Sequence, residues 1–409
     1  MTAPFLTICV PSRNRQRYFK ETIGFLLDSA REDVEFVFAD NSDDPADMKG
    51  FMADRVDARV TYLPSPSGAL SMKDNWERCL EAATGRWISV IGDDDLIDPD
   101  LVDALKIAIA LKPGLEAFGW SSLKYDWITD DSPLRNVQVP LEATFHDMPQ
   151  PLLFRRAFRW DDAGVTLTCG FSVYHSAISR GLLDRVRARF GGRYFEHPTL
   201  DYDNAMKNVA LGRDFVYCRR PFSIFGTCPE SNTSAAWSPS RFAETIARTK
   251  SEFGRDYEDD PWMKGFPFHT MLGMPASVVQ AQQYLRFTYG LGLAGWEANF
   301  ARSSALYCGK FSDPEDFAAM TERYRAAFAA YRGGSFLKDF QPVFTPKREG
   351  KLFTGPLGSE LYVEDRIGGA TSPASFYRAV NGLLARPADL PAELRTAAKE
   401  SVVIARLAA

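Results

Sequence analysis

The chain has 409 residues, and this length indicates about two or three domains. Its formal net charge of −5 argues weakly against a general nucleic-acid-binding protein. It contains no apolar stretch of about eighteen residues or more, so the sequence predicts no transmembrane helix. The N-terminal residues carry no basic segment and lead directly into an apolar run, which argues against a signal peptide. The six cysteines are scattered without a CxxC pair, which is typical of reduced thiols and disfavours a zinc site.

Strand and helix patterns alternate through the first hundred residues. Apolar runs predict strands at residues 5–10, 34–39, 60–63 and 87–91, and helical spacing predicts helices at residues 18–30, 47–54 and 76–83. This alternation predicts a mostly parallel sheet in an α/β layer architecture. Because ligands bind outside the carboxyl ends of such strands, the polar clusters at residues 12–15, 40–41 and 93–95 are expected along one edge of the sheet.

The rest of the chain mixes both patterns before it becomes mainly helical. A helix is predicted at residues 101–111, strands at 117–120, 170–174 and 214–218, and helices at 178–190 and 201–211. The composition of residues 127–150 and 231–239 predicts loops. Beyond about residue 241, helical patterns dominate at residues 276–289, 313–331, 372–384 and 392–407, with a Pro- and Gly-rich break at 341–358.

Three adjacent carboxylates, Asp93, Asp94 and Asp95 (the acidic triplet), directly follow a buried strand pattern. Like charges side by side repel, and burial raises that cost unless a cation neutralises them. Carboxylate oxygens suit Mg²⁺ or Mn²⁺, and Mg²⁺ is commonly held by one or two carboxylates plus substrate phosphates. The structural alternative is a solvated turn or a helix N-cap. We expect Asp95 to ligate a metal, Asp93 to share it or bind ribose hydroxyls, and Asp94 to line the nucleotide site or to point away.

Other polar residues could recognise a nucleotide. Asp40, at the end of the second strand, could accept a hydrogen bond from a nucleobase imide, with a turn or cap as its alternative role. Arg13, Arg15 and Lys73 could neutralise a diphosphate or contact the base, and for each of them a solvated surface position is the alternative. The predicted nucleotide-sugar-binding residues are Pro11, Arg13, Arg15, Asp40, Lys73, Asp93 and Asp94.

Five segments in register carry a resemblance to a known family: residues 11–15 (PSRNR), 40–42 (DNS), 71–78 (SMKDNWER), 83–87 (ATGRW) and 92–95 (GDDD). They resemble the nucleotide-sugar-binding half of family 2 glycosyltransferases with the GT-A fold, strongly over about residues 5–100 and more thinly to about residue 234. The resemblance implies that the triplet is a DXD motif whose last Asp holds Mn²⁺ or Mg²⁺. It also implies that Asp40 meets the donor base, with a UDP-sugar favoured.

The same resemblance implies an α/β fold: a GT-A-like, mostly parallel nucleotide-binding sheet flanked by helices, followed by a mainly α-helical C-terminal region. The expected parts are the nucleotide-sugar-binding half of the GT-A domain at residues 1–100 and its acceptor-binding half at residues 101–240. A mainly helical region of unknown role is expected at residues 241–409.

Residues 200–205 (LDYDNA) occupy the place of the family's Glu-Asp-Tyr-Asp segment, in which the Asp after the Glu is the general base of inverting members. That register maps the base onto Asp201, with Asp203 as the alternative. This chain has Leu200 where the Glu is usual, and Glu196 lies earlier. An inverting transfer needs one carboxylate to accept the proton of the acceptor hydroxyl. The other interpretation of the pair is favourable charge at a helix N-terminus.

The sequence therefore predicts a metal-dependent, inverting glycosyltransferase that moves a sugar from a nucleotide diphosphate sugar to a hydroxyl of a glycan or lipid-linked acceptor. The resemblance implies a role in cell-surface polysaccharide or glycan assembly, in the cytoplasm or at the inner face of the membrane, without nucleic acid. A non-catalytic nucleotide-sugar-binding or scaffold subunit remains an alternative because of Leu200. A sugar nucleotidyltransferase is disfavoured because residues 11–15 contain no glycine.

Overall fold

A computed structural model of the chain describes residues 3–168, 170–235, 239–346 and 352–396. The α-helices are α1 (Gln16–Leu27), α2 (Ala46–Ala53), α3 (Met72–Ala82), α4 (Leu101–Leu111), α5 (Gln150–Arg159), α6 (Arg180–Arg189), α7 (Leu200–Leu211), α8 (Asn232–Ala235), α9 (Pro239–Phe253), α10 (Met274–Tyr289), α11 (Glu297–Cys308), α12 (Pro314–Ala330) and α13 (Pro373–Val380). The strands are β1 (Leu6–Ser12), β2 (Val34–Asp40), β3 (Val60–Leu63), β4 (Trp87–Val90), β5 (Leu96–Ile97), β6 (Ala117–Asp126), β7 (Asn136–Pro140), β8 (Phe145–Asp147), β9 (Ser176–Ser179), β10 (Phe215–Thr227), β11 (Gly355–Leu357), β12 (Glu360–Glu364) and β13 (Leu394–Thr396). Short 3-10 turns lie at Tyr257–Asp259, Pro261–Met263, Thr270–Leu272, Tyr331–Gly334, Leu337–Asp339, Ile367–Gly369, Asn381–Leu383 and Pro387–Asp389.

The central sheet has the strand order β13-β8-β10-β6-β9-β4-β1-β2-β3, with β5 paired to β10. Strand β1 pairs in parallel with β2 and β4, and β2 pairs in parallel with β3. The register places Ser12 opposite Asp40, so the ends of β1 and β2 lie side by side. A mostly parallel sheet flanked by helices and followed by a helical region confirms the predicted fold class.

Burial on both faces explains why the parallel strands are almost continuously apolar in sequence. Every residue of β1 is buried, and α1 packs Phe19, Ile23 and Leu26 into the same core as Phe36 of β2. Burying each such side chain stabilises the fold by roughly 1.5–3 kcal/mol. Ser71 caps α3 by accepting a hydrogen bond from Asp74 N, which fixes where this helix begins beside the strand ends.

The helical region after β10 shares its core with the sheet. One continuous apolar cluster contains Val90 of β4, Phe171, Phe268, Phe300 of α11 and Phe328 of α12. Residues 239–346 therefore pack directly against the sheet domain rather than forming a separate core. Within the described residues, we find no helix that combines the length and apolarity needed to cross a bilayer.

Several predictions for individual elements are wrong. Residues 127–150 contain β7 and β8 instead of a loop alone, because these strands pair with β12 and β10 far along the chain. Residues 170–174 form no strand, and only a bridge joins Val90 to Tyr174. Residues 394–396 of the predicted C-terminal helix form β13, while the part beyond residue 396 lies outside the described residues. Long-range pairing of this kind overrides local propensity.

The structure describes only part of the predicted loop at residues 231–239 and five of the six cysteines. Within residues 231–239, Asn232–Ala235 form α8 instead of a loop, and residues 236–238 lie outside the described residues. Cys169 also lies outside them, whereas the other five cysteines are buried and free.

Candidate active site

The carboxyl ends of β1, β2 and β4 bring the predicted polar clusters together. Ser12 Oγ donates a hydrogen bond of 2.6 Å to Asp93 Oδ2, which links the end of β1 to the acidic triplet. Asn41 N donates to Ser12 O at 2.9 Å, and the buried Asn75 of α3 reaches the same carbonyl from Nδ2 at 3.5 Å. Polar groups therefore do lie together at the predicted edge of the sheet.

The acidic triplet itself forms a tight turn after β4. Gly92 N donates a hydrogen bond of 2.7 Å to Asp95 Oδ2. A Cβ atom at Gly92 would lie only 2.8 Å from that same oxygen, so a larger residue would displace the Asp95 carboxylate. Thr22 Oγ1 of α1 donates to the main-chain oxygens of Asp93 and Asp95 at 2.9 and 3.0 Å. The backbone of the turn is therefore anchored from two sides.

Arg15 is the cation closest to the first two carboxylates. Its Nη2 lies 2.5 Å from Asp93 Oδ1 and its Nη1 lies 3.2 Å from Asp94 Oδ2. Burial raises the pKa of Asp93 to about 7, with a further contribution from Asp94, while Arg15 acts in the opposite direction. Burial also raises the pKa of Asp94. A single guanidinium therefore compensates only part of the negative charge of this pair.

Asp95 is held differently from its two neighbours. Tyr174 Oη donates to Asp95 Oδ2 at 2.5 Å, and His175 Nε2 lies 3.0 Å from the same oxygen. Gly226 N of β10 donates to Asp95 Oδ1 at 2.8 Å. Burial raises the pKa of Asp95, but His175 and these hydrogen bonds outweigh it, so the pKa lies below the usual value and the group stays ionised.

Sequence reasoning missed Tyr174 and His175 as neighbours of the triplet. His175 has a φ of 55°, in the left-handed region that favours glycine, and this conformation helps to orient its ring. The ring centroid lies 3.8 Å from that of Phe225, and Nδ1 lies 2.8 Å from Ser223 Oγ. These contacts join residues about fifty to eighty positions apart, so no local signal in the sequence could have found them.

Asp40 and Pro11 lie at the same edge of the sheet. Asp40 is fully buried, and its Oδ1 accepts hydrogen bonds from Ser42 N at 3.0 Å and Ser42 Oγ at 2.6 Å. Pro11 lies in β1 opposite Ala39. In this structure Asp40 therefore closes the turn after β2, and its predicted contact with a nucleobase stays a prediction.

The predicted cations Arg13 and Lys73 both contact the end of α9. Arg13 Nη1 lies 2.8 Å from Glu252 Oε1. Lys73 Nζ lies 5.1 Å from the centroid of the Phe253 ring, and burial lowers the pKa of this lysine. Their contacts with a diphosphate or base also stay predictions. The structure adds that a helix of the C-terminal region reaches the residues expected to bind the donor.

The two candidate bases of α7 have different surroundings, and Asp203 is enclosed. Lys207 Nζ lies 2.9 Å from Asp203 Oδ2 and 2.8 Å from Glu196 Oε2. Asp203 Oδ2 also accepts hydrogen bonds from Glu196 N at 2.9 Å and His197 N at 3.3 Å. Asp203 and Lys207 have no exposed surface, so this carboxylate belongs to a buried ionic cluster.

Asp201 instead lines a cavity of about 740 Å³. Tyr174 and Gly226, which hold the Asp95 carboxylate, line the same cavity, as does Cys228, whose N donates to Asp94 Oδ2 at 3.3 Å. Burial raises the pKa of Asp201 to about 6. This partly buried carboxylate therefore faces the space next to the triplet and can exchange a proton near neutral pH.

Comparison with known families gives the assignment. Residues 7–177 match the family model described as glycosyl transferase family 2. Residues 7–177 of this chain are therefore similar to the family 2 glycosyltransferases, over less than half of the 409 residues. The predicted resemblance and enzyme class are thereby confirmed, and the match includes the acidic triplet but ends before Asp201. No curated protein matches the chain.

Solved glycosyltransferase structures are also similar to this chain. S. aureus TarS 1-349 has 14% identity and a TM-score of 0.41 over 82% of this chain and 89% of that one. Its complex with UDP-GlcNAc has 13% identity and a TM-score of 0.42 over the same shares, 82% and 89%. The mannosyltransferase PcManGT from Pyrobaculum calidifontis, in complex with GDP-Man and Mn²⁺, has 17% identity and a TM-score of 0.40 over 83% of this chain and 89% of that one.

Proposed function

We propose that this protein is a metal-dependent, inverting glycosyltransferase that moves a sugar from a nucleotide diphosphate sugar to an acceptor hydroxyl. One observation carries the proposal: Asp201 lines the same cavity as Tyr174 and Gly226, the residues that hold the Asp95 carboxylate. A single displacement at an anomeric carbon needs a base for the acceptor and a charged site for the leaving group within one enclosed space.

The acidic triplet fits a divalent cation by the chemistry of its donor atoms. Asp95 Oδ1 accepts one hydrogen bond, from Gly226 N, which leaves a lone pair on that oxygen, and Asp93 Oδ1 has Arg15 Nη2 at 2.5 Å as its ionic partner. Among the described residues, no three His, Cys, Asp or Glu side chains form a metal cluster as they stand. Asp95 and Asp93 would therefore hold Mn²⁺ or Mg²⁺ together with phosphate oxygens of the donor. The bound ion supplies charge neutralisation of the diphosphate leaving group.

The cations around the triplet supply the remaining electrostatic stabilisation. Arg15 compensates part of the charge of Asp93 and Asp94, and a planar guanidinium of this kind can bind phosphate oxygens through two parallel hydrogen bonds. Arg13 and Lys73 approach the same end of the sheet, where we assign them to the diphosphate or the base. Asp40 is assigned to the base of the donor. We expect stabilisation of the leaving group to lower the activation barrier more than any other single effect.

Asp201 is the proposed general base. It accepts the proton of the acceptor hydroxyl as the hydroxyl oxygen attacks the anomeric carbon from the face opposite the leaving group, which inverts the configuration. Asp203 is unsuited to this role because Lys207 and two main-chain N–H groups hold its Oδ2 inside the protein. The family resemblance further supports a UDP-sugar donor and a role in cell-surface polysaccharide or glycan assembly at the inner face of the membrane.

The test is incubation of the full chain with UDP- and GDP-sugars in Mn²⁺, in Mg²⁺ and in EDTA. We expect release of free nucleoside diphosphate in the presence of metal and its loss in EDTA. In a parallel incubation with added pyrophosphate, formation of a nucleoside triphosphate together with a sugar 1-phosphate would indicate a nucleotidyltransferase instead. Tight nucleotide-sugar binding without turnover, even with a glycan extract as acceptor, would favour the non-catalytic subunit.

A further inference from the structure

One side of helix α9 forms a wall of the cavity. Phe242, Thr245, Ile246 and Thr249 line the cavity, and their spacing of three and four residues places them on one face of the helix. None of these four side chains carries a charge. Helix α9 is therefore amphipathic, and its uncharged face borders a cavity that also contains Asp201.

The charged residues of α9 do not themselves line the cavity, although two arginines contact residues that do. Arg248 Nη2 donates to Asn232 Oδ1 at 2.8 Å, and Arg241 Nη2 donates to Ser234 Oγ at 3.0 Å. Lys250 Nζ lies 2.6 Å from Asp256 Oδ2. Glu252 pairs with Arg13 outside the lining of the cavity. The absence of charge from the cavity wall is thus a property of one face of α9 and does not reflect the composition of the helix.

Helix α10 and the turns before it continue this wall without adding charge. Met274, Ser277 and Val278 again follow the spacing of three and four residues, and Tyr257 and Thr270 lie beside them. Burial raises the pKa of the Tyr257 hydroxyl, so that side chain stays neutral. The described residues that line the cavity from 239 onward are all apolar or hydroxyl-bearing. Hydroxyl groups can hydrogen-bond to a neutral sugar but cannot neutralise an anion.

The charged residues of the cavity come from the sheet domain. Arg135 is ion-paired with Asp126, and Lys124 already interacts with other groups of the protein. Trp127 Nε1 donates to Asp94 O at 2.8 Å, which fixes an aromatic ring of the cavity beside the triplet. Charge and aromatic surface are therefore available near the triplet and along β6, whereas the helical wall offers neutral contacts.

We propose that the acceptor is a neutral glycoside with an apolar aglycone, whose reacting ring lies at Asp201 and whose aglycone packs against α9 and α10. The inference rests on the proposed function, because it takes Asp201 as the base. Transfer of the aglycone from water to this wall is favourable in proportion to its apolar area. An anionic group against these lining side chains would lose its hydration, because none of the described lining residues from 239 onward is a cation. The helical region thereby acquires a role in selecting the acceptor.

The experiment measures binding of small probes to the full chain in the presence of UDP and Mn²⁺. Phenyl and methyl β-glycosides of glucose, galactose, mannose and N-acetylglucosamine are compared with the corresponding sugar phosphates by titration calorimetry. We expect at least one phenyl glycoside to bind about tenfold or more tightly than its methyl counterpart, and the phosphates to bind more weakly. Equal binding of phenyl and methyl glycosides, tightest binding of a phosphate, or no binding of any phenyl glycoside would overturn the proposal.

Variants locate the effect at the wall. Thr245→Asp on α9 and Ser277→Asp on α10 place a charge at two half-buried lining positions, and each should weaken phenyl glycoside binding about tenfold. Ala247→Asp is the matched control, because Ala247 lies on the exposed face of α9 and does not line the cavity. Equal weakening by the control would contradict the assignment of the wall.

The proposed function is tested separately from this inference. Absence of nucleoside diphosphate release from every sugar nucleotide would contradict the transferase, whereas the probes report binding without turnover. UDP affinity should be unchanged in Thr245→Asp, Ser277→Asp and Ala247→Asp. A loss of UDP binding in Thr245→Asp and Ser277→Asp alone would assign this wall to the donor and overturn its assignment to the acceptor.

Discussion

The two acidic clusters of the site differ in how their charge is compensated. After β4, three consecutive carboxylates share one turn, with Arg15 beside Asp93 and Asp94 and with Tyr174 on Asp95. At the start of α7, two carboxylates only two residues apart have separate surroundings: Asp203 is buried against Lys207, and Asp201 faces the cavity. Residues two positions apart in a helix point to different sides of it, whereas a tight turn keeps its neighbours together.

This difference shows that acidic residues close in sequence need not share a task. In the triplet, burial raises the pKa of Asp93 and Asp94, because their negative charge is not fully compensated. Binding of a further positive charge at the triplet is therefore favourable. In α7, Lys207 pairs with the buried Asp203, whereas Asp201 lines the cavity and burial raises its pKa to about 6. The following predictions test that division, from the largest expected effect to the smallest.

Asp95→Ala should abolish turnover while the fold is retained, because it removes the carboxylate assigned to the metal. Initial rates of nucleoside diphosphate release at saturating Mn²⁺, together with thermal melting, measure both properties. Asp100→Ala is a suitable control, since the Asp100 side chain is more than half exposed, 56%, and lies outside the triplet. Full activity of Asp95→Ala would remove the metal assignment.

Asp201→Asn should lower transfer by about a hundredfold to ten-thousandfold while leaving donor binding intact, since it removes only the proposed base. Calorimetric titration with UDP and a radiolabel transfer assay separate the two properties. The amide side chain is nearly the same size, so little change in stability is expected.

Asp203→Asn should behave in the opposite way to Asp201→Asn. It removes one of the two carboxylates that face the buried Lys207, while Glu196 remains, and should destabilise the fold by about 1–3 kcal/mol in urea unfolding. Normal transfer by Asp201→Asn, combined with a folded but inactive Asp203→Asn, would reverse the assignment of the base.

Tyr174→Phe should weaken Mn²⁺ binding by about tenfold to a hundredfold, because this hydroxyl orients the Asp95 carboxylate at 2.5 Å. Electron paramagnetic resonance of Mn²⁺ in the presence of UDP measures the affinity directly. Tyr202→Phe is the matched control, because its hydroxyl donates to Thr166 Oγ1 at 2.8 Å and not to the triplet. An unchanged affinity in Tyr174→Phe would show that Asp95 needs no such support.

The rate at saturating donor and acceptor should fall about tenfold per pH unit below about pH 6 and stay level above it. Burial raises the pKa of Asp201 to about 6, so this proposed base is protonated below that pH and ionised above it. Measurement of kcat from pH 5 to 8 gives the apparent pKa of this fall in rate. Donor titrations at each pH distinguish the titration of Asp201 from that of Asp93, whose pKa is about 7. A flat kcat profile would argue against Asp201.

Much of the nucleotide-binding half could be predicted from the sequence. Short apolar runs indicate strands β1 to β4, and the polar residues after them lie at one edge because parallel strands end together. The contacts of Ser12 and Arg15 with the triplet follow from that geometry. Prediction was weaker after residue 127, where β7, β8 and β13 depend on partners up to about two hundred and fifty residues away.

The sequence by itself determined which charged side chains are available to the site: the acidic triplet, the nearby cations and a pair of carboxylates at the start of α7. It also determined that most of them lie at one edge of the sheet. Only the tertiary structure decided which carboxylate of that pair faces the cavity, because Lys207 and the packing around α7 select Asp203 for the interior. It also decided that Tyr174 and His175 support Asp95 and that α9 presents its uncharged face beside Asp201. Lys207 is only four residues from Asp203, but burial of that side of α7 depends on the tertiary fold. The contacts of Asp95 and the position of α9 join residues far apart in the chain, whose approach is fixed by packing of the whole core.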